Sequence, residues 1–224
     1  MKKPTFFTRL LALLILFTGL QVKAQEKLYL LSPESDVKVE GTSNLHDWTA
    51  EVKEFEGSLQ VTPDFLKQLP DHLQRTAKGK KSKMPQTGTF ASEVEMKFAV
   101  ESLAGGRGPV MDKKIYQAFK SSENPHIVFK TNSPVNYRLH TEDARQFVAT
   151  ASGELIMAGK AKPATIELQG TLNNQQKFSF TGSKPLLMSH WGMEKPSAMF
   201  GKIVTGDEVT IQFNLQFEEQ TAGK

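Results

Sequence analysis

The sequence predicts an all-β fold, a barrel or sandwich carrying one or two short helices. Three observations predict it. The first is the stretch Val209–Phe217, where Val209, Ile211, Phe213, Leu215 and Phe217 are apolar and Thr210, Gln212, Asn214 and Gln216 between them are polar. A strand sends successive side chains to opposite faces, so this run has one dry face and one wet face. The second is that similar short runs recur at a spacing of roughly ten residues, punctuated by turn residues. The third is the scarcity of helical patterns, of which only two have start and stop signals.

The chain opens outside this pattern. Lys2, Lys3 and Arg9 precede the apolar run Leu10–Leu20, and Val22-Lys23-Ala24 fits a small-x-Ala cleavage site. Residues 1–24 thus read as a cleavable secretory signal peptide, with an uncleaved anchor as the alternative. The mature chain then starts at Gln25 and is periplasmic or secreted, with no stable membrane insertion after cleavage. The leader holds four of the 28 basic residues, which leaves 24 against 24 acidic residues. The mature protein is near neutral, and nothing in its balance calls for nucleic acid as partner. Cysteine is absent, which excludes disulfides, thiolate metal sites and Cys nucleophiles. The core alone must hold the fold, and the remaining residues, 25–224, suffice for one domain.

Taken in order, Tyr29–Glu40 begins the fold, with Val37-Lys-Val39 alternating before a break at Gly41–Asn44. Leu45–Thr49, Ala50–Phe55 and Gly57–Val61 are short strands. Thr62-Pro63-Asp64 starts a helix expected to end near Leu69, with Thr as N-cap and Pro in the first turn. Gln74–Gly88, basic and free of acids, reads as a solvated loop. Glu93–Val100 alternates again. Gly105-Gly106-Arg107-Gly108 lacks the Lys-Ser/Thr ending of a phosphate loop and reads as a connection. Met111–Ser122 is the second helix, capped by Asp112, stapled by Met111 against Tyr116, and halted before Asn124-Pro125. His126–Lys130 is a strand that ends near Ser133-Pro134. Gln146–Ser152, Glu154–Met157, Thr165–Thr171 and Lys177–Thr181 follow, with breaks at Gly153, Gly159-Lys160, Asn173-Asn174 and Gly182. Gly206-Asp207 signals a turn before the closing strand.

Two groups of residues invite chemistry. His46-Asp47 could be a base and its orienter, and His190 could join them in space. Neighbours on a strand face opposite ways, however, and the five histidines show no metal-ligand spacing. Neither a cofactor nor a metal is expected. Met188, Trp191, Met193, Met199 and Phe200 form an apolar loop, either a core cap or the wall of an apolar ligand cavity.

Several blocks in fixed order carry a resemblance. They are Gly41-Thr-Ser-Asn-Leu-His-Asp-Trp-Thr49, Met111-Asp112 through Phe119 to Asn124-Pro-His-Ile-Val-Phe129, Thr150–Lys160, Met188-Ser-His-Trp-Gly-Met193, Ala198-Met-Phe-Gly201 and Thr205–Ile211. Together they resemble the YceI-like family of exported lipid-binding proteins, over essentially the whole mature chain. The resemblance implies an extended antiparallel, eight-stranded, lipocalin-like barrel whose interior holds an isoprenoid or another fatty amphiphile. The basic loop Gln74–Gly88 is longer than the family's usual turn. On this reading the cavity is lined by Met96, Phe98, Phe119, Phe129, Met157, Met188, Trp191, Phe200, Ile211, Phe213 and Leu215. His46, Asp47 and His190, with the Trp191 indole, are the head-group candidates, and no catalytic residue is carried over. A homodimer is compatible with the sequence. Two other readings compete. One is an exported hydrolase or isomerase using cavity histidines on an apolar substrate. The other is an outer-membrane barrel, which needs an apolar outer band and aromatic girdles, although Trp and Tyr number only 2 and 3.

Overall fold

The computed structural model describes residues 25–140, 143, 145–172 and 177–221. The leader expected at 1–24 and the break expected at Asn173-Asn174 lie outside the described residues.

The first two strands, β1 (Lys27–Leu31) and β2 (Asp36–Ser43), are one run interrupted at residues 32–35. Ser35 pins the interruption to the facing strand, its Oγ accepting from the Gln216 N–H at 2.9 Å. β2 continues past the expected break and turns when the Ser43 N–H donates to the His46 carbonyl at 3.0 Å. β3 (Trp48–Val52) and β4 (Phe55–Val61) return as a second interrupted run. Trp48 lies over Gly41, where an added methyl would meet Cε2 of the indole at 2.7 Å. Gly41 therefore continues the strand, with its lack of a side chain making room for the ring.

The first helix, α1 (Pro63–Ala77), starts where Thr62-Pro63 placed it but runs well beyond Leu69. Pro70 removes one backbone bond, yet Phe65, Leu69 and His72 recur on one buried face. That apolar stripe outweighs one missing bond. The basic stretch after Gln74 is accordingly part helix, part loop and part strand, since β5 (Thr87–Ala99) begins at its end. A short 3-10 turn (Val100–Ser102) leads to β6 (Leu103–Ala104) and then to α2 (Pro109–Phe119). The helix begins earlier than expected because Gly108, at φ +88°, caps it and Pro109 supplies a preset first residue. Asp112 instead accepts the Gly105 N–H at 2.8 Å, which ties the glycine-rich connection to the helix.

β7 (His126–Thr131) and β8 (Val135–Leu139) form a third interrupted run, broken at Ser133-Pro134. β9 (Gln146–Met157) is continuous through Gly153. Gly153 is no break. It sits where the neighbouring run changes from β7 to β8, and a methyl there would lie 2.7 Å from the Thr131 Cα. A tight hairpin with Ala158 and Gly159 at φ +47° and +76° leads into β10 (Lys160–Leu172). β11 (Phe178–Leu187) ends in a 3-10 turn (Met188–Trp191), and β12 (Ser197–Ala198) pairs with the start of β13 (Ile203–Glu219). The expected turn at Gly206-Asp207 is inside β13. It coincides with a register shift between Thr205 and Val209, where a methyl on Gly206 would meet Thr42 Oγ1 at 2.6 Å. Glycine here accommodates a bulge.

All ladders are antiparallel, in the order β1, β4, β5, β7 with β8, β9, β10, β11 and β13, and β13 closes back onto β1. The first half of β13 pairs β2, which pairs β3. Counting each interrupted run once, this is a closed eight-stranded barrel with two helices. The apolar row of β13 faces in, and Thr210, Gln212, Asn214 and Gln216 face out. That is the reverse of the outer band a membrane barrel needs.

Tyr29 illustrates the tightness of the core. It is fully buried on β1 with its ring edge-on to Phe178, 4.9 Å between centroids. Its hydroxyl has no hydrogen-bond partner among the described residues. Burial, and secondarily the Glu219 carboxylate, push the phenol up to about 12. The unfolded chain's phenol titrates near about 10. The native state therefore holds this proton more tightly, and the associated stability is complete below about pH 10 and lost towards about pH 12. Tyr29→Phe is expected to abolish that alkaline loss. At neutral pH it should leave stability unchanged or raise it by up to about 1 kcal/mol, because no bond is broken. Urea unfolding at neutral and alkaline pH measures both effects.

Candidate functional site: an apolar tunnel

Alternation along the barrel strands sends one side chain in two to the interior, and those side chains do not fill it. A cavity of about 100 Å³ remains among them. Its lining runs along β13 from Ile211 to Phe217, so this small volume is drawn out along the strands as a narrow slot. The lining is apolar except for one residue, Lys184. Part of the space comes from β9, which contributes the small side chains Ala149 and Ala151 to a wall that also holds large residues such as Phe90, Phe213 and Phe217. A wider groove of about 1330 Å³ runs between α1, the 79–86 loop and the end of β8, but lysines and His72 share its lining with aliphatic groups and it lies on the surface.

One end of the tunnel is closed under α1. Phe65 inserts among Phe90 (4.8 Å between centroids), Tyr137 (5.1 Å), Phe147 (5.8 Å) and Phe178 (6.2 Å), mostly in edge-to-face or tilted arrangements. The helix carries Phe65 there because its buried stripe faces the barrel. The opposite end is occupied by the 3-10 turn after β11. Met188 and Trp191 are buried there, as is Met193 just beyond, and the indole Nε1 of Trp191 donates to the Leu155 carbonyl at 3.3 Å. Asp207 anchors this turn to β13. Its carboxylate accepts the Ser189 N–H at 2.9 Å and the Ser189 hydroxyl at 2.5 Å, and these bonds hold its pKa below the usual carboxylate value.

The structure places Met96, Phe98, Phe129, Ile211, Phe213 and Leu215 in the tunnel wall. Five other residues expected there lie elsewhere. Met188 and Trp191 pack as the plug just described, and Met157 is buried at the end of β9. Phe119 packs half-buried from α2 against the core. Phe200 is fully exposed at the β12–β13 hairpin, where it and Met199 take φ of +56° and +51°. The head-group candidates are also outside the wall. His46 belongs to the β2–β3 turn, its Nδ1 2.9 Å from the Asp47 carbonyl, while Asp47 and His190 are exposed. A catalytic histidine pair inside the cavity is therefore not what the fold builds. No group of His, Asp and Glu suited to a metal ion occurs among the described residues. Sequence reasoning missed Val39, Leu168 and Lys184, although the period of two was available. Counting by twos from Phe178 and Phe180 reaches Lys184.

Solved structures share the architecture. A polyisoprenoid binding domain from Saccharophagus degradans, implicated in plant cell wall breakdown, matches at TM-score 0.58 and 10% identity, covering 88% of this chain and 100% of that one. BcnA of Burkholderia cenocepacia matches at TM-score 0.54 and 18% identity, covering 82% and 96%. A mutant Campylobacter jejuni YCEI protein matches at TM-score 0.50 and 11% identity, covering 77% and 85%. At such identities the likeness speaks for the fold. No curated protein matches the chain. The model of the YceI-like domain matches residues 29–217, from β1 to near the end of β13. That segment contains every strand that encloses the tunnel, and the chain belongs to the YceI-like family.

Proposed function

We propose that this protein is an exported carrier that holds one isoprenoid-type or other single-chain amphiphile in its tunnel. The observation that carries this reading is the wall itself, apolar but for Lys184 and narrow enough for one chain. A buried methylene-sized group contributes about 0.8 kcal/mol. Ten of them supply about 8 kcal/mol, which is micromolar affinity before ordering costs. Such a ligand needs few polar contacts, and the tunnel offers few. The relative from Saccharophagus degradans, described as polyisoprenoid binding, supports the same class of ligand. The basic and apolar leader supports a periplasmic or secreted site of action.

Native mass spectrometry of protein purified from its own cells without detergent, followed by lipid extraction, tests the carrier. A co-purifying single-chain lipid is the expected result. The reading fails if no lipid is recovered and neither isoprenoid quinones nor polyprenols bind.

A further inference from the structure

The barrel wall has a weak side. β10 pairs β9 from Lys160↔Met157 to Thr171↔Gln146, and β11 pairs β13 from Phe178↔Phe217 to Leu187↔Glu208. Between themselves β10 and β11 pair only from Leu172↔Phe178 to Gln169↔Thr181. Beyond Gln169 and Thr181 both strands continue, but the ladder between them does not. Aromatic packing under α1 covers one end and the Trp191 turn covers the other, and this side seam is a stretch of the wall without a backbone ladder.

Lys184 stands on the seam. It lies on the inward face of β11, in step with Phe178 and Phe180, and is the one charged side chain in the tunnel wall. Lysines on the outward face, such as Lys38, Lys97 and Lys130, meet carboxylates. Lys184 has no such ion pair among the described residues. Its Nζ donates across the seam to the Thr165 carbonyl at 3.1 Å. The stem of Lys184 lines the lumen while its ammonium sits at the exposed rim of the seam, held by a neutral carbonyl, and an anion there would make the stronger, charge-assisted bond.

The geometry points to Lys184 as the head-group site and to the β10–β11 seam as the mouth. The ligand is an amphiphile whose chain lies in the lumen and whose anionic head, a carboxylate or phosphate, replaces the Thr165 carbonyl at Nζ. This rests on the carrier reading and adds the charge of the head group to it. A charge-assisted bond to an anion is stronger than the bond it displaces, so binding should favour an anionic ligand over its uncharged analogue.

The test uses two matched pairs, a polyprenyl phosphate with the polyprenol of equal length, and palmitate with hexadecanol. The two pairs distinguish phosphate from carboxylate. Wild type should favour the anionic member of at least one pair by roughly 10- to 100-fold. Lys184→Met keeps the apolar stem and should erase that preference by weakening only the anionic ligand, whereas Lys184→Arg should retain it. Lys184 is half-exposed, so an unchanged melting temperature is expected to verify folding of both variants. Equal binding of charged and uncharged ligands by wild type, or an undiminished preference in Lys184→Met, overturns the head-group site and leaves the carrier standing. Binding of none of the four ligands overturns the site, and if no lipid co-purifies and isoprenoid quinones do not bind either, the carrier falls with it.

Discussion

Phe65→Ala is expected to destabilise the fold by about 3–5 kcal/mol, the range for removing a large aromatic from a rigid core. Phe65 is 1% exposed and touches rings from four strands, Phe90 on β5, Tyr137 on β8, Phe147 on β9 and Phe178 on β11. The barrel ladders fix those four rings, so they cannot move in to fill the hole, and the cost should sit at the upper end. Edge-to-face pairs such as Phe65–Phe90, at 83° between planes, add about 0.5–1.5 kcal/mol beyond buried area. Urea unfolding should show a lower midpoint at an unchanged slope. Val110→Ala on α2, where Val110 is 73% exposed, is the control and should stay within about 0.5 kcal/mol. A loss under about 1 kcal/mol at Phe65 would mean that α1 only rests on the barrel and does not seal it.

The closing strand was legible in the sequence because its physics is local. A period of two, sustained from Val209 to Phe217, needs no knowledge of the partner strands to reveal one buried face. The same holds for Glu93–Val100, which lies in β5 up to Ala99, and the short apolar run His126–Lys130 lies in β7. The errors cluster where the deciding interaction is distant in sequence. Gly153 and Gly206 read as turns because glycine usually marks one. Their actual reason is a neighbouring backbone or side chain too close for a Cβ, namely Thr131 and Thr42. That reason is invisible without the partner strand. The length of α1 was underestimated because Pro70 is a local stop signal, whereas the buried face that carries the helix past it is a tertiary gain.

The site divides in the same way. Met96, Phe98, Phe129, Ile211, Phe213 and Leu215 all come from alternating strands, and the strand pattern places them in the wall. Met188, Trp191 and Phe200 come from a loop, where apolar composition does not distinguish lining a cavity from plugging it or from standing exposed. His46, Asp47 and His190 were selected for their chemistry, and chemistry carries no register. Lys184 has both the chemistry and the register. It was passed over because Gly182, two residues before it, read as the end of the strand, whereas β11 continues to Leu187.

Narrowing the tunnel should abolish long-chain binding without unfolding the barrel, and Ala151→Phe is the variant that separates the two. Ala151 faces inward on β9, opposite Ile166 of β10, and contributes a small side chain to the wall. A benzyl group there projects into unfilled space, so the overpacking penalty of about 1–3 kcal/mol for a tight core is expected to be largely avoided. The ring would displace about four methylene-sized groups of a bound chain, worth about 3 kcal/mol at 0.8 each, or a loss of roughly 150-fold in affinity. Thr150→Phe adds the same ring to the adjacent outward position and should leave binding unchanged. Titration of both variants with one long-chain ligand, alongside thermal melts, makes the comparison. Wild-type affinity in a folded Ala151→Phe would place the chain outside the lumen, and a loss shared equally by Thr150→Phe would assign the effect to the strand and not to the tunnel. The expected asymmetry follows from the period of two: adjacent residues on one strand, the same substitution, and opposite sides of the barrel wall.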